Sequence, residues 1–170
     1  MYFTRTYAYF IICIKHIRVR RGTWVWIEVK ETKIDQAQAG LGLCHALAHA
    51  LGGAFHVPHG RLNAILLPAV LEANATAAGH KYAELARMAG LGGSVDTIAL
   101  RNLRNGLVRL RRDLELPETL AQAGVKRTEL GQKRDAIVAA ALADPCCRTN
   151  PVTVDAALIG RVLDTVAGHG

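Results

Sequence analysis

An all-α domain preceded by a short segment that reads as a β-hairpin is the fold this sequence predicts, and three observations predict it. From Ile34 onward alanine, leucine and glycine dominate, and apolar residues recur at helical spacing. Before that point Tyr2, Phe3, Tyr7, Tyr9, Phe10, Trp24 and Trp26 crowd together, leaving Phe55 and Tyr82 as the aromatics of the rest. Of the 170 residues, 51% are hydrophobic and 21% charged, which excludes a disordered chain, since disorder needs few apolar residues and high net charge. A chain of this length buries about two-thirds of its unfolded surface, enough for a core. The organisation expected is an atypical segment, residues 1–35, followed by a helical domain, residues 36–170.

In the first segment the runs Tyr7–Val19 and Thr23–Lys30 are rich in β-branched and aromatic residues, with Arg20-Arg21-Gly22 as the turn between them. Gln36–Leu51 then reads as a helix ended by Gly52-Gly53. A second helix starts near His59 and runs through Asn63–Leu71. Pro68 is expected to kink or interrupt it, because proline lacks the amide proton and clashes with the preceding turn. Lys81–Met88 is a short amphipathic helix closed by Gly90. Ser94 is a good N-cap for Val95–Leu114, with Asp96 well placed in its first turn. Further helices are expected over Pro117–Ala123, Arg127–Leu142 and Thr153–Val166, the last opened by Thr153.

Several functions are disfavoured. A net charge of +7 raises nucleic acid or an anionic membrane as partner, but the positive charges are scattered and neither partner is expected. Arg18, Arg20 and Arg21 beside Trp24 and Trp26 could stack bases and pair with phosphates, yet a solvated hairpin edge explains them better. Arg101, Arg104, Arg109, Arg111 and Arg112 read as a hydrated helix face. The apolar run Tyr7–Ile14 is too short to span a bilayer, and no small-residue cleavage site follows it. Cys13, Cys44, Cys146 and Cys147 make no CxxC hook, so a reduced, cytoplasmic protein is expected. Neither a GxGxxG nor a GxxxxGK[ST] loop occurs, and Gly90-Leu91-Gly92-Gly93 follows a helix and reads as its stop.

The chemistry concentrates in the histidines. His45 and His49 stand four apart, one turn above the other on one helix face, and Ala46, Ala48 and Ala50 let other groups approach. His59 falls where a new helix begins, and there the positive end of the dipole disfavours imidazolium and keeps the ring neutral, as metal ligation needs. Any one of these could be a core histidine bonded to a backbone carbonyl. Three of them beside Gly52-Gly53 and Pro58-His59-Gly60 point to a metal or proton-transfer site. Helical spacing by itself makes His45 and His49 the ligand pair. Nothing in the sequence puts His56 or His80 beside them.

The stretch from Gly42 to Pro68, with His45-x-x-x-His49, Gly52-Gly53, Pro58-His59-Gly60, Asn63-Ala64 and Leu67-Pro68, resembles the signature of the iron-containing (group III) alcohol dehydrogenases. Weaker similarity continues through Tyr82-Ala83-Glu84-Leu85-Ala86, Leu116-Pro117-Glu118-Thr119-Leu120, Gly124-Val125 and Thr149-Asn150-Pro151. The resemblance implies a helical metal-binding domain that follows a cofactor domain in the family. It implies that His45 and His59 are metal ligands and that His49 is a catalytic or substrate-pocket neighbour. It also implies Fe2+ as the metal, although imidazole suits Zn2+ equally, with NAD(P) as hydride carrier and a small alcohol or aldehyde as substrate.

The family site further requires an Asp-x-x-x-His pair, and no aspartate here is followed by histidine four residues later. Residues 1–35 do not resemble a cofactor domain. The expectation is therefore a fragment that supplies part of a metal site, with self-association or a cofactor-domain partner to complete it. The alternatives are a helical interaction module without catalysis and a basic nucleic-acid binder.

Overall fold

The computed structural model describes residues 18–19, 23–24 and 42–168. The chain divides into two units, Met1–Gly40 and Leu41–Gly170. In the first, strands β1 (Arg18–Val19) and β2 (Thr23–Trp24) pair antiparallel, Arg18 opposite Trp24 and Val19 opposite Thr23. This pairing brackets Arg20-Arg21-Gly22, and the remainder of the two expected strands lies outside the described residues.

Among the described residues the second unit is helical throughout: α1 (Gly42–Phe55), α2 (His59–Ala73), α3 (Ala75–Met88), α4 (Asp96–Asp113), α5 (Arg127–Ala143), a 3-10 helix (Pro145–Thr149) and α6 (Ala156–Ala167). Helices α1, α2, α5 and α6 enclose the main core, in which Leu43, Leu47, Leu51, Leu62, Leu66, Ile159 and Leu163 are fully buried.

The helix ends correct the sequence reading in instructive ways. Residues 36–41 of the first expected helix lie outside the described residues, and α1 runs through Gly52-Gly53 to Phe55. Two interactions hold that last turn against the glycine penalty of about 1 kcal/mol per residue. Lys133 Nζ donates to the Ala54 carbonyl at 2.8 Å and lies 5.0 Å above the Phe55 ring. The stop is His56, in the left-handed region at φ 56, whose amide donates to the Gly52 carbonyl at 2.9 Å.

Helix α2 passes through Pro68 without interruption. The proline deprives the Ala64 carbonyl of its helical donor, and burial of its own ring in the core offsets that loss. Helix α3 starts at Ala75, six residues ahead of Lys81, because Asn74 ends α2 and begins α3 with no linker. Val95, not Ser94, occupies the N-cap position of α4, and it supplies no side-chain cap.

Pro117–Ala123 forms turns instead of the expected helix. The Leu120 and Ala121 amides donate to the Val166 and Ala167 carbonyls at 2.9 and 3.2 Å, satisfying the open end of α6 at the expense of a local ladder. Helix α5 starts at Arg127 as expected and ends at Ala143, one residue past Leu142. Helix α6 is capped by Asp155 and not by Thr153, the carboxylate accepting from the Leu158 amide at 2.7 Å.

Candidate metal centre

The three histidines singled out by the sequence come together. His45 and His49 project from α1, and His59 opens α2 directly after Pro58, whose carbonyl accepts from the Arg61 and Leu62 amides. The three-residue connection, residues 56–58, brings the start of α2 back against the face of α1. Ring centres of His45 and His59 are 5.2 Å apart with planes inclined by 50°. His49 and His59 are 5.1 Å apart and nearly parallel, at 19°, while His45 and His49 are 6.4 Å apart and edge-on at 68°.

The electrostatics follow from this crowding. Partial burial, and then the nearby His49 ring, hold the His59 pKa below its ordinary value of 6.5. The direction is the one expected of an imidazole at a helix N-terminus, and it leaves a nitrogen lone pair available near neutral pH. His49 has a partner that sequence reasoning missed: its Nδ1 lies 2.8 Å from Asp144 Oδ2, across 95 residues of chain. Asp144 is the N-cap of the 3-10 helix, and its other oxygen accepts from the Cys146 amide at 2.8 Å. Burial pushes the Asp144 carboxyl up, but the Cys146 amide and His49 outweigh it, and the net pKa is lowered. The carboxylate is thus ionised and divided, one oxygen fixing the turn and one facing His49.

A second polar cluster sets the frame. The amides of Asn74 and Asn150 bond reciprocally, at 3.0 and 2.8 Å, and Asn74 is only 2% exposed. Asn150 Oδ1 also accepts from the Leu43 amide at 3.1 Å, and its Nδ2 donates to the Val152 carbonyl at 2.8 Å. One side chain therefore ties the first turn of α1 to the end of α2 and to the strap before α6. Gly42 has to be glycine here: its φ is +67, and a Cβ would stand 3.2 Å from Asn150 Oδ1. This clamp fixes where α1 begins, and so fixes His45 and His49.

His80 lies elsewhere, on α3, where its Nδ1 is 2.7 Å from Asp96 Oδ2 and its Nε2 3.5 Å from Glu84. His56 serves as the stop of α1. The Asp144 pairing leaves one trace in the sequence, an aspartate directly before Pro145, which marks a turn cap; nothing in that trace names His49 as the distant partner.

With this geometry in hand, known proteins identify the lineage. The chain belongs to the Fe-containing alcohol dehydrogenase family, whose C-terminal model matches residues 33–166. It is 36% identical over 115 residues to the NADPH-dependent butanol dehydrogenase of Clostridium saccharobutylicum, covering 68% of this chain and 30% of that one. It is 40% identical over 119 residues to the lactaldehyde reductase of Escherichia coli strain K12, with the same coverage of 68% and 30%. Among solved structures, a 1,3-propanediol oxidoreductase superposes with a TM-score of 0.68 at 32% identity, over 75% of this chain and 33% of the other. An alcohol dehydrogenase from Oenococcus oeni gives a TM-score of 0.68 at 30% identity, over 77% and 34%. The chain thus spans about a third of the length of these relatives. No described helix is long and apolar enough to cross a membrane.

Proposed function

We propose that this chain supplies the metal-binding and proton-handling part of an alcohol or aldehyde oxidoreductase site, in a reduced, cytoplasmic setting. In this reading His45 and His59 hold a divalent cation, Fe2+ by family and Zn2+ as the alternative, and His49 handles the substrate proton. The observation that carries it is the relative orientation of the rings. A cation lies in the plane of each imidazole that ligates it, and two imidazoles on one tetrahedral ion put their ring centres about 5 Å apart. The 5.2 Å between the His45 and His59 ring centres matches that separation, and planes inclined by 50° are not stacked, which supports this pair. The near-parallel planes of His49 and His59, and the 6.4 Å between His45 and His49, favour neither of those pairs.

When bound, the metal supplies Lewis acidity to a carbonyl or alcohol oxygen. The chain's own contribution is to hold His59 neutral and His49 oriented. Asp144 holds the His49 ring through Nδ1 and selects the tautomer whose Nε2 can accept a proton. The hydride carrier, NAD(P), belongs to a cofactor domain or partner outside the residues that carry the histidines.

Two experiments test this. Anaerobic ferrous titration should show binding that weakens about tenfold or more in His45→Ala and in His59→Ala and little in His49→Ala; equal effects of all three would count against the assignment. NADH formation from short alcohols by the ferrous-loaded 170-residue chain alone is expected to be absent, and robust turnover would sink the half-site reading.

A further inference from the structure

We propose that His49, Asp144 and Cys146 form a second cation site, selective for thiophilic divalent ions such as Zn2+ or Co2+ and distinct from the pair His45 and His59. One donor atom from each of the three lies within 4.8 Å of the other two. Two donors come from a single tight turn. Asp144 Oδ1 is committed to the Cys146 amide at 2.8 Å, which fixes the carboxylate and leaves Oδ2 facing His49 Nδ1. The third donor stands on α1, whose buried side chains hold it to the core. The Asp144 and His49 donors are therefore held together before an ion arrives, and binding has mainly the Cys146 side chain left to order.

The donor set decides the ion. A thiolate beside an imidazole favours Zn2+ and Co2+ over Fe2+, and disfavours Mg2+ and Ca2+, which take oxygen ligands. Three protein donors leave the fourth tetrahedral position for water. The protons balance simply. A neutral His49 moves its single proton from Nδ1 to Nε2, the Cys146 thiol releases its proton to solvent, and the ion takes the place of the proton between His49 and Asp144. Affinity accordingly rises with pH. Because both uses need His49 Nδ1, ion occupancy and the His49–Asp144 hydrogen bond exclude each other, and a thiophilic ion bound here withdraws His49 from proton transfer.

Anaerobic titration of the full chain with Co2+ tests the site, since cobalt on a thiolate gives a near-ultraviolet charge-transfer band that imidazole and carboxylate ligation do not. The band is expected in the unaltered chain, in Cys147→Ser and in the His45→Ala/His59→Ala double variant, and it should vanish in Cys146→Ser. Asp144→Asn keeps a capping oxygen but loses the charge, and its titration midpoint should move to about tenfold higher Co2+ or beyond. Far-ultraviolet circular dichroism verifies that each variant is folded. No band in the unaltered chain, a band that survives Cys146→Ser, or one lost in a folded His45→Ala/His59→Ala variant overturns the proposal. Because the double variant removes the first cation pair, failure of that pair leaves this result readable.

Discussion

Helices α1, α2, α5 and α6 meet through branched aliphatic side chains, with Leu47, Leu62, Ile159 and Leu163 wholly excluded from water. Helices α3 and α4 meet instead through Ala83, Ala86 and Ala99 with Leu103 and Leu107, while Met88 and Val95 at their rim stay 76% and 52% exposed. Charge replaces apolar area there: Asp96 accepts from Arg87 at 2.6 Å and faces His80 at 2.7 Å. The histidine trio sits on the first region. Large buried side chains resist small displacements because a dense core has few alternative packings, and a metal site tolerates few. The annex relies on fewer large buried side chains, with small residues between its helices and screened ion pairs that are worth little each.

That contrast is open to breakage. The largest effect should come from Leu47→Ala, a loss of about 3–5 kcal/mol in chemical denaturation, against about 2–3 for Leu103→Ala at the annex. Equal costs would dissolve the distinction between the regions. Next, Asn150→Ala strands the Leu43 amide and removes both bonds from Asn150 to the buried Asn74 side chain, and about 2–3 kcal/mol should be lost. If the clamp positions α1, the histidine ring resonances should shift in the same variant; unchanged resonances would detach the clamp from the site. Gly42→Ala acts on the same corner through its positive φ and should cost about 1 kcal/mol.

The smallest effect is the pH dependence that the annex contributes. The hydrogen bond and charge of Asp96 raise His80 above its ordinary 6.5, so the stabilisation is complete below that value and is lost as pH rises through the raised one. Asp96 is lowered by His80 and Arg87, so its share is present above 3.8 and is lost as pH falls through the lowered value. His80→Ala should flatten the slope of stability against pH above 6.5. A slope unchanged in that variant would mean that other groups set it.

What the sequence revealed followed the reach of local rules. The helical class, the start of α2 at His59 and the meeting of His45, His49 and His59 were all legible, because helical spacing and one short loop govern them. Helix ends decided by distant partners were not. Lys133 extends α1 past its glycines, the end of α6 draws Leu120 and Ala121 out of a helix, and Asn150 bonds Asn74 where α2 passes into α3. Asp144 and Cys146 escaped for the same reason. The Asp144 link to His49 crosses 95 residues, and a capping aspartate looks alike whether or not its second oxygen has a task.

The most direct test of the central claim is nitrogen NMR of the imidazoles during Zn2+ titration, in the full chain carrying Cys146→Ser so that the thiolate does not compete. Ring nitrogens of His45 and His59 should move together to metal-bound positions, while His49 keeps its proton on Nδ1 toward Asp144. Metal-bound shifts at His45 and His49 together, or no shift at His45 and His59, would contradict it.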